Sequence, residues 1–131
     1  MTIAKGIDHL GLTVDDLDAS TAFFTDCLGF EVKGGKPDYP SIFVGNGHTT
    51  FTLWQRKIGD AGFDRHANLG LHHFALKVLT EDDLNSLYAQ VKDWPGVKLE
   101  FAPEFSGKGP KVHFMLYEPG GCRMEFSYDP R

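Results

Sequence analysis

Cysteine is scarce in this chain: Cys27 and Cys122 are the only two among 131 residues. They form no close pair, and two thiols in a chain of this size point to a reducing, cytoplasmic setting. Long apolar runs are missing too, so no segment reads as spanning a bilayer. Met1 to Gly6 carries one lysine and no apolar stretch, which predicts no secretory leader. Basic blocks are absent. Lys and Arg number 13 against 18 Asp and Glu, a net charge of −5 that lacks the footprint of a nucleic-acid or anionic-membrane binder. What remains is globular: 41% apolar and 24% charged, with the length of one domain and one core. One abundance stands out, six histidines, with His72 and His73 adjacent.

Two of them mark an internal repeat. Ile7-Asp8-His9-Leu10-Gly11-Leu12-Thr13-Val14 parallels Leu71-His72-His73-Phe74-Ala75-Leu76-Lys77-Val78, with His9 and His73 at the same place. Both segments alternate as half-buried strands do, and each runs into an acidic helix start. In the first half Asp15 and Asp16 are N-cap candidates, Leu17, Phe24 and Leu28 mark an apolar stripe, and Gly29 stands at the C′ position. In the second, Thr80 and Asp83 resemble a capping box, and Leu84, Leu87, Tyr88, Val91 and Trp94 form one face that Pro95-Gly96 ends.

Short strands follow each helix, around residues 30–33, 41–44 and 49–55 and then 97–101, 111–117 and 123–128. Turns are expected at Gly34-Gly35, Gly45-Asn46-Gly47 and Pro119-Gly120-Gly121. Each half therefore reads β-α-β-β-β. The fold class is α+β, with module one at about residues 5–56, a linker at about 57–70, and module two at about 71–129. Halves of this length are marginal alone, so the two are expected to pair into a single domain with a curved mixed sheet around a pocket.

Strand alternation also sorts the chemistry. If His9 points inward, so do Gly11 and Thr13; if His73 does, so do Ala75 and Lys77. Arg123, Glu125 and Ser127 share one face of the last strand, opposite Met124 and Phe126, so Glu125 is a partly buried carboxylate that needs a cation or a donor. Two repeat-related imidazoles and one carboxylate suit zinc, nickel, manganese or iron(II). A His–Glu ion pair or two hydrogen-bonded core histidines would satisfy the same pattern.

Longer motifs carry a family resemblance. Val14-Asp15-Asp16-Leu17 followed by Phe23-Phe24-Thr25-Asp26-Cys27-Leu28-Gly29-Phe30, and the ending Glu118-Pro119-Gly120-Gly121-Cys122-Arg123-Met124-Glu125-Phe126, resemble two signature stretches of the vicinal oxygen chelate superfamily. That superfamily spans glyoxalase I, extradiol dioxygenases, epimerases, fosfomycin-resistance transferases and metal-free bleomycin-binding proteins. The resemblance implies paired βαβββ modules whose first and last strands supply metal ligands. His9, His73 and Glu125 match three of the four ligand positions, and Thr52, within Phe51-Thr52-Leu53, stands where a glutamate is usual. Glu125 falls at the place of the principal base. Arg56 stands where glyoxalases resembling this chain carry a glutathione-contacting Asn, so the implied substrate is not a glutathione hemithioacetal.

The implied function is that of a metal-dependent isomerase or lyase resembling glyoxalase I, acting on a small oxygen-rich molecule through a metal-bound enediolate with Glu125 moving the proton. Two alternatives stand beside it. The remaining triad matches the facial arrangement of non-haem iron enzymes, which admits an iron(II)-dependent extradiol-type dioxygenase. However, Met115 stands where such enzymes resemble one another in carrying a Tyr, and Tyr117 lies beside Glu118 instead. The other alternative is a metal-free drug-sequestering protein. Members resembling this chain are usually homodimers, some with sites built across two chains.

Thr52, Trp54, His113, Met115 and Tyr117 are candidates for pocket lining, with plain packing or rim roles as the alternative. His72 is expected to face away from His73, and His48 and His66 are read as solvated. The glycine-rich stretch Ser106-Gly107-Lys108-Gly109-Pro110 lacks what a phosphate loop needs. No serine or cysteine has the supporting dyad of a nucleophile.

Overall fold

The computed structural model describes residues 2–59 and 61–131. It divides into two compact units, Met1–Lys57 and Ile58–Arg131. The first unit contains β1 (Leu10–Val14), α1 (Leu17–Ala22) continued by a π-helical turn (Phe23–Cys27), then β2 (Glu31–Lys36), β3 (Ser41–Gly45) and β4 (Thr50–Gln55). The second contains β5 (Phe74–Val78), α2 (Glu81–Val91), β6 (Lys98–Phe105), β7 (Val112–Tyr117) and β8 (Arg123–Tyr128). Each is a βαβββ module, and each sheet is mixed: the order β1-β4-β3-β2 is repeated as β5-β8-β7-β6. The first and last strands of each module pair in parallel, and the remaining neighbours are antiparallel. The α+β class and the repeat are therefore as the sequence predicts. No helix among the described residues is long and apolar enough to cross a membrane.

The helix starts follow their local chemistry. Asp16 caps α1 by accepting the Ala19 N–H at 3.0 Å, and Thr80 caps α2 by accepting the Asp83 N–H at 3.0 Å. The apolar stripe of the first helix differs from the one expected. Ser20, Phe23, Phe24 and Cys27 are the buried residues, whereas Leu17 and Leu28 are half-buried. Small residues at 20 and 27 complete the stripe, so large side chains alone mislead about the buried face. The last turn opens into π geometry, with Leu28 N–H reaching Phe23 carbonyl, and Gly29 closes it at φ +80.

Gly34-Gly35 is not the expected turn. Both residues lie within β2, and the turn falls at residues 37–40. A side chain at Gly35 would strike the Ser41 carbonyl oxygen, so the glycine permits close approach of two strands. β6 runs past its expected end at Phe101 to Phe105, because two register shifts against β7 let the ladder resume.

Within each unit the helix covers one sheet face. Phe24 meets Phe51 at 5.0 Å between ring centroids in the first, and Phe126 stacks on Phe114 at 5.1 Å with Tyr88 against Phe114 in the second. Phe51, Leu53, Met124 and Phe126 are nearly inaccessible to solvent. The alternate residues of β4 and β8, Thr52 and Trp54, Glu125 and Ser127, thus lie on the face away from the helices.

Candidate functional site

Glu125 is held between two histidines. Its side chain is 12% exposed, with Oε1 at 3.1 Å from His73 Nε2 and Oε2 at 2.6 Å from His113 Nδ1. The backbone explains both contacts. Ala75 pairs with Glu125 across the parallel β5/β8 ladder, and His73 lies two residues before Ala75. Met115 pairs with Glu125 across β7/β8, and His113 is its diagonal neighbour on the same face. The Phe101 ring packs on His113 at 5.0 Å between centroids. His113, read from sequence only as a lining residue, is therefore a direct partner of Glu125. Its signal was present in the shared parity of positions 113 and 115, but the register that aligns them with Glu125 is not local information.

A second layer lies behind His73. His72 was expected to face away from it, yet the two Nδ1 atoms are 2.8 Å apart. Both residues precede the first hydrogen-bonded position of β5, so strand alternation does not govern them. Arg123 Nη1 lies 3.3 Å from His72 Nδ1, and the same guanidinium grips Glu100 with two contacts of 2.8 and 2.7 Å. The Arg123 hydrogen bond holds the Glu100 carboxyl below the usual carboxylate range, and Glu100 in turn raises Arg123. Partial desolvation, then the Arg123 charge, holds His72 below the ordinary imidazole range. Tyr117 receives a 2.9 Å hydrogen bond from Arg65 Nη1. Sequence reading missed this ionic cluster, because Arg65 lies 52 residues from Tyr117 and Arg123 lies 23 from Glu100.

The first unit presents neutral groups at the matching places. Gly11 pairs with Thr52 as Ala75 pairs with Glu125, so Thr52 is the structural counterpart of Glu125. Ser41 pairs with Trp54 as His113 pairs with Ser127, so Ser41 is the counterpart of His113. Thr52 Oγ1 accepts the Trp54 indole N–H at 2.9 Å, and Trp54 packs against Tyr39 and Phe43. His9 immediately precedes β1 as His73 precedes β5. It is exposed, with Nδ1 at 2.8 Å from Asp8 Oδ2. Arg56 pairs with Asp15. His48 and His66 are exposed, as expected; His66 stands 6.5 Å from His72 between ring centroids.

The acidic residue of the Glu118-Pro-Gly-Gly-Cys turn serves the backbone. Glu118 is almost fully buried and accepts the N–H groups of Gly120 at 2.9 Å and Cys122 at 3.0 Å. Burial, followed by the Glu118 charge, pushes the Cys122 thiol up to about 12, so it is not a nucleophile at neutral pH. Met115 is buried between His113 and Tyr117 on β7.

The donor set of the second unit fits two arms of a metal site. Two donors, each about 2.0–2.2 Å from a common ion, stand about 3 Å apart, and His73 Nε2 and Glu125 Oε1 are so placed. Among the described residues no group of three or more His, Cys, Asp or Glu side chains is arranged to hold an ion.

A family model for the Glyoxalase/Bleomycin resistance protein/Dioxygenase superfamily matches residues 6–126. No curated protein sequence matches. Among solved structures, the chain resembles a glyoxylase/bleomycin resistance protein/dioxygenase domain from Frankia sp. EAN1pec at TM-score 0.81 and 21% identity, covering 96% of this chain and 98% of that one. It resembles FosX, a fosfomycin resistance protein from Listeria monocytogenes, at 0.74 and 18%, covering 96% and 94%. Lactoylglutathione lyase from Agrobacterium tumefaciens is similar at 0.72 and 20%, covering 97% and 96%. At these identities the likeness is one of fold.

Proposed function

The chain belongs to the Glyoxalase/Bleomycin resistance protein/Dioxygenase superfamily, and from that membership we propose that it is a divalent-metal-dependent isomerase or lyase acting on a small oxygen-rich molecule. The observation that carries this reading is the 3.1 Å approach of His73 Nε2 to Glu125 Oε1. A neutral imidazole nitrogen and a carboxylate oxygen repel at that separation unless a proton or a metal ion lies between them. His73 and Glu125 are proposed as ligands, and His9, at the matching repeat position, as the third, contributed by this chain or by a second copy.

When bound, zinc, nickel, manganese or iron(II) supplies Lewis acidity toward a substrate carbonyl. Glu125 takes the proton from the carbon beside that carbonyl and returns it to the neighbouring position. The His113 Nδ1–H holds Oε2, which keeps Oε1 toward the reacting side. Thr52 offers only a neutral hydroxyl, already engaged with Trp54, so proton handling falls to a single carboxylate. Arg56, paired to Asp15, supports a substrate other than a glutathione hemithioacetal.

The test is deuterium uptake from D2O by a panel of α-hydroxyketones and 2-oxo acids, followed by proton NMR. Glu125→Gln is expected to lower exchange by about 10²- to 10⁴-fold while the circular dichroism is unchanged. Exchange retained in that variant, or absent across the panel for metal-loaded protein, overturns the reading. The neutral Thr52 also favours a second reading, iron(II)-dependent ring cleavage of a catechol, since it leaves a two-histidine, one-carboxylate set. Oxygen consumption with catechols identifies that case. Protein that neither retains nor accepts a metal is instead a small-molecule binder.

A further inference from the structure

One cation of the second unit has no anion of its own. Arg65 donates from Nη1 to the Tyr117 hydroxyl at 2.9 Å, a direction fixed because a guanidinium carries donors only. Among the described residues, the arginines with a carboxylate partner are Arg56, Arg123 and Arg131. Arg65 has none, and its Nε–H, sealed from solvent, has no acceptor. Glu100 does not fill the gap, because Arg123 occupies both of its oxygens at 2.8 and 2.7 Å. Arg123 first, and Arg65 at longer range, hold that carboxyl below the ordinary range against its partial burial. Two guanidinium charges therefore share one carboxylate, in a chain whose overall charge is −5.

A half-buried charge without a counter-charge and a screened N–H without an acceptor both cost stability. A staple between loop and strand does not require that cost, since a neutral donor such as glutamine reaches a hydroxyl equally well. The place of Arg65 on the fold shows what its charge serves. Tyr117 pairs with Arg123 across β7/β8, and Met115 pairs with Glu125. Tyr117 and Glu125 thus share the sheet face away from α2, one same-face step of about 7 Å apart along the ladder. Arg65 comes to that face from the segment that precedes β5.

We propose that Arg65, anchored by Tyr117, is an anion-binding residue that takes a carboxylate or phosphoryl oxyanion of the molecule handled at Glu125. The outer nitrogens of the guanidinium present parallel N–H groups that match two oxygens of one oxyanion. The proposal deepens the proposed function by naming its substrate class: oxygen-rich molecules with a negatively charged group beyond the reacting carbon. It rests on that reading only for the reaction. Binding of the anion itself needs neither metal nor turnover.

The experiment has two arms on the full chain. In the first, metal-free protein is titrated with succinate and, separately, with inorganic phosphate, and proton–nitrogen NMR follows the Arg65 Nε–H and the surrounding amides. A saturable shift at Arg65 is expected with at least one probe. Succinate alone identifies a carboxylate site, phosphate alone a phosphoryl site, and both a general oxyanion site. Arg65→Gln is expected to weaken binding about 10- to 100-fold, as for loss of a charge-assisted hydrogen bond. Tyr117→Phe keeps the guanidinium and is expected to lose less. No saturable shift with either probe overturns the proposal, whether or not a variant folds. Equal loss in the two variants also overturns it, because the contact is then a structural staple alone. The second arm compares deuterium exchange of an α-hydroxyketone bearing a distal carboxylate with that of its methyl ester. Arg65→Gln is expected to raise KM for the acid and to leave the ester little changed. Anion binding without exchange of any substrate overturns the metal-dependent reading and leaves the anion site standing. Exchange of acid and ester with equal KM overturns the anion site and leaves that reading standing.

Discussion

At the scale of single residues, polar groups owe their behaviour to the neighbour that satisfies them. Glu118 and Glu125 are both acidic and both shielded, yet Glu118 accepts two backbone N–H groups whereas Glu125 meets His73 and His113, side chains that can exchange a proton or a metal. The contrast separates a turn-building carboxylate from a chemical one. Cys122 belongs with Glu118: burial and that carboxylate keep its thiol protonated. Iodoacetamide at neutral pH is therefore expected to leave Cys122 unlabelled in the folded protein and to label it after urea, as mass spectrometry would read. Rapid labelling without denaturant would contradict the burial argument. The expectation of a partly buried Glu125 came directly from its apolar neighbours Met124 and Phe126. His113 was legible as a lining residue but its contact with Glu125 was not, because diagonal contacts depend on how two strands align.

At the scale of elements, the modules differ in detail where small residues permit close approach. β2 passes against β3 at Gly35 with no space for a side chain beside the Ser41 carbonyl. Gly35→Ala is expected to cost about 1–3 kcal/mol in urea unfolding, the usual penalty of overpacking, with Gly34→Ala costing less because its side-chain position meets only the Phe43 ring at 3.6 Å. Reading Gly34-Gly35 as a turn follows a sound local rule, since glycine pairs usually break strands. The turn moved to Pro37-Asp38-Tyr39-Pro40, which carries equally strong turn chemistry, and the glycines were used for packing. Similarly, Leu17 and Leu28 drew the expected stripe away from Ser20 and Cys27, because size weighs more in a sequence pattern than in a helix pressed against a sheet.

At the scale of the whole molecule, two similar folds carry two different faces. The second unit gathers Glu100, Arg123, His72, His73, His113 and Glu125 on and beside its sheet, whereas the first-unit counterparts of Glu125 and His113 are the hydroxyl residues Thr52 and Ser41. Two global measurements follow. Because Arg123 depresses the Glu100 carboxyl, this pair stabilises the fold above the ordinary carboxylate range, and its contribution disappears as pH falls through the folded-state value. Stability measured across that acid window is expected to fall less in Glu100→Gln than in the wild type, by no more than about 1 kcal/mol for a partly exposed pair. An identical acid slope would rule out the linkage. Zinc at about a hundredfold excess over its dissociation constant is expected to add about 2.7 kcal/mol to wild-type stability, read as a higher melting temperature. Metal-independent melting of His73→Ala would tie that gain to the proposed ligand.

The sequence by itself determined the module order, the pairing of His9 with His73 as equivalent positions, and the placement of Glu125 away from the helix. Each follows from alternation or repetition within a few residues, which local backbone geometry enforces. Only the tertiary structure decided that His113 touches Glu125, that His72 backs His73, and that Arg65 and Arg123 join Tyr117 and Glu100. Those contacts join strands and loops far apart in the chain. Their register is set by hydrogen-bond ladders that no single segment encodes.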